Sequence, residues 1–178
     1  VDLRGNVNTR LAKLQSNKEW NAAIFAKAGL DRIDLLARLK SNFGFEYTDL
    51  DSFIPAPAQG AMMIAVMSAN KEVLRAVSKL NHRQTEICVD MERRFLRDLE
   101  GCCTAPIGAI VTVKNDQLTF KGTLMSLDGK QRIDVTDSMP WFDNIEIEEC
   151  LDFARKQSEK VISQGGRELM TEIKQSLA

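Results

Sequence analysis

Two adjacent thiols and three arginines are the residues of this chain whose chemistry packing explains least. Cys102 and Cys103 follow a basic, helix-like run that stops at Gly101, and Pro106 opens an apolar stretch three residues after Cys103. A glycine just past a helix lets the backbone turn and a side chain stand clear, which suits a cysteine that attacks a carbon electrophile and keeps the product as a thioether. On the residues alone either sulfur could be that nucleophile, and the commoner fate of a cysteine is to pack as a small hydrophobe. Arg4, Arg10 and Arg32, each of which on its own reads most simply as a solvated surface charge, could carry the complementary chemistry, because a guanidinium stays charged in a partly desolvated cleft and offers a planar fork to a carboxylate. Arg4 and Arg10 bracket Asn8 and Thr9, where a helix N-terminus would add N–H groups for the same anions.

The elements that position these groups change character near residue 70. Before it, periodicity predicts helices over 9–15 and 29–40 and strands over 22–26 and 62–67, an α/β texture, with Pro55 and Pro57 marking 47–58 as a loop. After it come helices over 71–80 and 84–99, the second with Ile87, Met91, Phe95 and Leu99 on one side. Strands over 107–113, 118–126 and 132–136 are separated by Asn115-Asp116 and Asp128-Gly129, so an antiparallel meander is expected. A helix with Ile147, Leu151, Ala154, Ser158 and Val161 on its inner stripe ends near Gly165, and a last one covers 167–177. A three-stranded antiparallel sheet with helices gathered on one face is an α+β domain.

Composition excludes several classes. A net charge of -1 gives no general basic field for nucleic acid, and Arg93, Arg94 and Arg97 are interleaved with Asp90, Glu92, Asp98 and Glu100. The longest apolar run, 61–67, falls short of the ~18 residues of a membrane span. A single histidine and no Cys-x-x-Cys pair argue against structural zinc, so no metal site is expected. Four cysteines without framework spacing, Cys88 and Cys150 among them as packing residues, fit a reducing cytoplasm.

The run ERRFLRDLEGCCTAPIGA, residues 92–109, resembles the cofactor-attachment segment of the porphobilinogen deaminase (hydroxymethylbilane synthase) family, in which Leu-Glu-Gly-Gly-Cys precedes Pro-Ile-Gly. Aligned on Pro106, Ile107 and Gly108, the family's attachment cysteine falls on Cys103. Two positions depart from the usual pattern: Cys102 stands in place of a small residue and Ala105 in place of a β-branched one. The segments VDLRGNVNTRLAKL, EWNAAIFAKAGLDRI, PAPAQGAMMIAV and LNHRQTEICVDMERRFL follow in the family's order and cover essentially the whole chain.

The resemblance implies a cytoplasmic transferase of tetrapyrrole (haem) biosynthesis that joins four porphobilinogens into hydroxymethylbilane with loss of ammonia. Its primer is a dipyrromethane held covalently by Cys103, with Arg4, Arg10, Arg32 and Gly29 on cofactor- and substrate-binding positions. It further implies three regions: 1–52 as the second half of a middle α/β domain resembling a periplasmic-binding-protein lobe, 53–70 as a strand returning to the first domain, and 71–178 as the C-terminal attachment domain. Family members carry about 100 or more residues ahead of the RGNV segment, so the chain is expected to be a C-terminal fragment that lacks the catalytic aspartate. Alone it is expected to be inactive and to self-associate or pair with a chain supplying the rest, whereas the parent is a monomer. The expected partners are porphobilinogen and pyrrole carboxylates, with no nucleic acid and no membrane. Two readings from other classes stand beside it, a non-catalytic anion-binding module and a thiol redox domain built on Cys102 and Cys103.

Overall fold

The structure, a computed structural model, describes residues 3–50, 52–101 and 105–177, so Cys102, Cys103 and Thr104 lie outside the described residues. The chain divides into two compact units, Val1–Leu50 and Asp51–Ala178.

In the first unit, α1 (Val7–Ser16) starts where Asn6 Oδ1 accepts the Thr9 N–H at 2.8 Å, a side-chain cap for an otherwise unpartnered donor. The helix expected over 29–40 is broken into α2 (Lys27–Arg32), a 3-10 turn (Leu36–Arg38) and α3 (Leu39–Phe43). The break is a Schellman closure: Asp34 takes a left-handed φ of 51°, its N–H reaches Asp31 O, and the Leu35 N–H reaches Leu30 O at 2.9 Å. Breaking the helix turns Leu30, Leu35 and Leu39 onto Leu11, and these four form the buried core of the unit. The α/β texture expected of this region is not realised as strands. Residues 22–26 are extended but form no ladder, because no strand among the described residues lies alongside to accept their hydrogen bonds.

The second unit begins with a segment, 52–70, that contains no strand. The strand expected over 62–67 does not form; these residues are irregular and largely solvent-facing, with Met62 94% exposed. The apolar composition is right for a strand interior, yet no neighbouring strand among the described residues pairs with them, and an unpaired strand has no ladder to hold it. After α4 (Lys71–Ser78) comes α5 (Arg83–Asp98), whose Ile87, Met91, Phe95 and following Leu99 are all buried as the four-residue spacing requires. The sheet is the expected meander, β1 (Ile107–Lys114), β2 (Gln117–Met125) and β3 (Arg132–Pro140), in the order β1-β2-β3. Asn115 and Asp116 both adopt positive φ, 52° and 54°, between the paired Lys114 and Gln117, a type I′ turn whose twist matches the strands. Around Asp128-Gly129 the loop is wider, spanning residues 126–131, and the Asp128 carboxylate closes it by accepting from Ser126 Oγ and the Lys130 N–H.

Helices α5 and α6 (Ile147–Val161) cover one face of this sheet, and α7 (Arg167–Leu177) follows a kink at 162–166, where Gly165 takes φ 96°. The centre of the core is an edge-to-face pair, Phe95 and Phe120, with centroids 5.2 Å apart. Gly122 makes room for it, since a Cβ there would lie 2.6 Å from Phe95 Cζ. Cys88 and Cys150 are both buried in this layer, and burial pushes both thiols up, Cys88 to about 11.

Candidate functional site

In sequence, Cys102 and Cys103 follow α5 and precede β1. Glu100, not Gly101, takes the left-handed conformation that ends the helix, with φ 52°. The Glu100 N–H bonds Arg97 O at 2.9 Å and the Gly101 N–H bonds Leu96 O at 3.0 Å, the paired bonds of a Schellman cap. Gly101 is needed for a different reason than the one expected. A Cβ at this position would lie 2.5 Å from Ile107 Cδ1 and 2.7 Å from Leu96 Cδ1, so the glycine lets the exit from α5 pass close to the first residue of β1. The Glu100 carboxylate points out to Lys174 Nζ at 2.6 Å, and that hydrogen bond holds its carboxyl below the usual carboxylate range.

A cavity of about 810 Å³ lies within the first unit, lined by α1, the 20–27 stretch and residues 45–50. Of the arginines singled out in the sequence, Arg10 is the one that lines it. Three turns of geometry place it: α1 carries its stem, its Nη2 donates to Ile24 O at 2.9 Å, and its guanidinium carbon sits 4.4 Å from the centre of the Phe25 ring. Its Nε is buried and has no hydrogen-bond partner among the described residues, so one N–H of the guanidinium is still to be satisfied. Arg4 and Arg32 are exposed and are not among the cavity-lining residues, although the Arg4 carbonyl accepts from Lys13 Nζ at 3.0 Å. Gly29 is within α2 with open space where a Cβ would point; its φ is not left-handed, so the backbone there does not demand glycine.

Sequence reasoning missed the rest of the lining. Lys27 and Asp49 meet across the cavity wall, Nζ 2.9 Å from Oδ2, and the ammonium lies 5.5 Å from the centre of the Tyr47 ring. The hydrogen bond to Asp49 holds Lys27 above its usual value. Trp20 and Phe45 add apolar wall. No local signal links residues 20, 27 and 45–49; the fold alone brings them together. The wall therefore offers aromatic and aliphatic surface for flat rings and one cationic side chain, Arg10, for a carboxylate, while Lys27 is held by Asp49.

Among the described residues no cluster of His, Cys, Asp and Glu is arranged to hold a metal ion, and no helix is long and apolar enough to cross a membrane.

Comparison with known proteins gives a consistent result. Residues 1–75 match the family model "Porphobilinogen deaminase, dipyromethane cofactor binding domain", and residues 86–162 match "Porphobilinogen deaminase, C-terminal domain". Similar proteins include the porphobilinogen deaminases of Pelotomaculum thermopropionicum, 42% identical over 75% of this chain and 41% of the relative, and Staphylococcus carnosus, 38% identical over 90% and 50%. That of Coxiella burnetii (strain Dugway 5J108-111) is 37% identical over 98% of this chain and 53% of its own length. The chain thus spans about half the length of the curated relatives it matches. With two consecutive domain models of one enzyme in order along it, and a relative 37% identical over 98% of its residues, the chain belongs to the porphobilinogen deaminase family.

Proposed function

We propose that this chain serves the porphobilinogen deaminase reaction, joining four porphobilinogens into hydroxymethylbilane with loss of ammonia, and that Cys103 is the residue that anchors a dipyrromethane primer. The observation that carries the reading is Arg10, which lines a roomy, aromatic-walled cavity inside the unit that matches the family's cofactor-binding domain, with its guanidinium over Phe25 and its buried Nε without a hydrogen-bond partner among the described residues. Arg10 and the aromatic wall fit a dipyrromethane, whose acetate and propionate groups are carboxylates and whose rings are flat; Arg4, Arg32 and Gly29, which do not line the cavity, would join the binding on the strength of the family resemblance. When bound, the primer supplies the pyrrole carbon to which porphobilinogen is added.

This chain's own contribution is then binding and orientation. Cys103 holds the growing product by a thioether, which survives turnover better than an ester or imine. The arginines neutralise the carboxylates that accumulate as the product lengthens, and Phe25 fixes the direction of the Arg10 fork. No residue here is assigned the acid–base role. The domain division that goes with this reading is 1–52, the second half of a middle α/β domain resembling a periplasmic-binding-protein lobe; 53–70, a segment that would become a strand only when paired within a first domain; and 71–178, the attachment domain. The cytoplasm is the compartment it implies.

Peptide mapping tests the assignment. A fusion supplying the portion of the Coxiella burnetii relative that this chain does not cover, expressed in a host that makes porphobilinogen, should carry a two-ring mass on Cys103 and give colour with an aldehyde reagent for pyrroles. A folded fusion with no such mass, or with the mass on another residue, would refute it.

A further inference from the structure

In the β1-β2-β3 order, β1 has one open edge, and a row of unpaired N–H groups on such an edge invites pairing with another chain. Here two N–H groups of the row are taken up. The Ala109 N–H donates to Pro55 O at 2.9 Å, and the Val111 N–H donates to Glu92 Oε1 at 2.8 Å. The other oxygen of the same carboxylate, Oε2, accepts the Ala58 N–H at 2.7 Å. Glu92 stands on the inner side of α5 and is 7% exposed, so a single buried side chain ties a helix, a strand edge and a third stretch of backbone together.

The sequence explains why a side chain is used. Pro55 and Pro57 have no N–H, so residues 54–58 cannot pair with β1 as a regular strand and reach it through a lone carbonyl. Gly108 permits the approach, because a Cβ there would lie 2.7 Å from Ile54 O. Beyond Pro57 the chain turns through Ala58 at φ 64° and Gly60 at φ 81°. Alanine adopts the left-handed region only when something holds it there, and the Glu92 bond is the contact made by its N–H.

We propose that residues 54–60 are a strap closing the open edge of the sheet, that Glu92 is its clasp, and that strap and clasp open as one unit. The strap does not depend on the assignment of Cys103, although α5 and β1, the elements it joins, are those that flank that residue in sequence. Because it opens as a unit, loss of the clasp should free Ala109 as well, even though Ala109 bonds to Pro55 and not to Glu92.

Amide exchange followed by NMR on the full 178-residue chain tests this with two independent levers. Glu92→Gln replaces one acceptor oxygen with a donor; Gly108→Ala leaves Glu92 intact and pushes Ile54 away. Each should lower protection at Ala58, Ala109 and Val111 together by about 10-fold or more, while Leu118 and Phe120 within the sheet keep wild-type exchange. If Ala109 stays protected in a Glu92→Gln chain whose Leu118 and Phe120 are unchanged, the strap is not cooperative and the proposal falls. Should Glu92→Gln fail to fold, Gly108→Ala decides, and wild-type protection at Ala58 and Ala109 in that variant would overturn it.

Discussion

The Arg10 guanidinium lies over the Phe25 ring, 4.4 Å from its centre, and spends one terminal nitrogen on the carbonyl of the neighbouring Ile24. Stacked on one side and bonded at one end, the group keeps its Nε without a partner, beside a cavity whose other cation, Lys27, is already paired with Asp49. The geometry leaves the Arg10 Nε without an acceptor among the described residues.

Arg10→Leu should therefore weaken carboxylate binding by about 10- to 100-fold, the value of one charge-assisted hydrogen bond, and lower the unfolding midpoint slightly, because the bond to Ile24 O and the stack on Phe25 are lost with it. Primer occupancy by intact mass and a thermal melt measure the two effects in the fusion described above. Full occupancy in a folded Arg10→Leu protein would remove Arg10 from the site.

Cys103→Ser should abolish the two-ring adduct, whereas Cys102→Gly, which restores the residue usual in the family, should load normally. Adduct mapped to Cys102 in the wild-type protein would transfer the assignment to its neighbour.

At the end of α5 the two positions respond in opposite senses. Gly101→Ala should destabilise by about 1–3 kcal/mol, the cost of overpacking a close backbone approach to Ile107 and Leu96. Glu100→Gly should raise stability, since glycine takes the left-handed φ without strain and the exposed pair with Lys174 contributes little. Urea denaturation of both variants distinguishes this from the simpler picture in which Gly101 supplies the turn.

Glu92 gives a pH signature. Burial pushes its carboxyl above the usual range, outweighing the two N–H groups from Ala58 and Val111 that favour the charged form. Its titratable neighbour is Cys88, one turn back on α5, whose thiol is held neutral by the same burial, and residues 54–58 and 107–113 contain no ionisable side chain. A group whose pKa is raised on folding contributes stability that is complete below its unfolded value and is lost as pH rises through the folded value. The stability of wild type relative to Glu92→Gln should accordingly fall as pH climbs from the ordinary carboxylate value toward neutrality. A difference that grows with pH would show that the two hydrogen bonds win over desolvation.

Cys88 and Cys150 should resist alkylation in the native chain at pH 8 and react only after unfolding, because the reactive species is the thiolate and burial disfavours it at both. Peptide mass after iodoacetamide treatment reads this directly; native labelling of Cys88 would mean that its helix opens.

Whatever depends on neighbours along the chain was legible before the structure. The four-residue stripe of α5, the meander and the turn at Asn115-Asp116 appear where expected, because helical period and turn chemistry are written into adjacent residues. The family segments, too, are strings of adjacent residues. Tertiary structure decided what adjacent residues do not encode. Residues 22–26 and 62–67 have the composition of strands, yet a strand exists only with a partner, and none among the described residues lies beside them. Glu92 looked like one acid among the arginines of α5; its role comes from Ala58 and Val111, 34 and 19 positions away. Likewise Lys27, Tyr47 and Asp49 join Arg10 around one cavity only after the break at Asp34 has folded α2 and α3 back onto α1. Contacts of this kind are set by which surfaces can be buried together, a property of the folded chain that no local pattern carries.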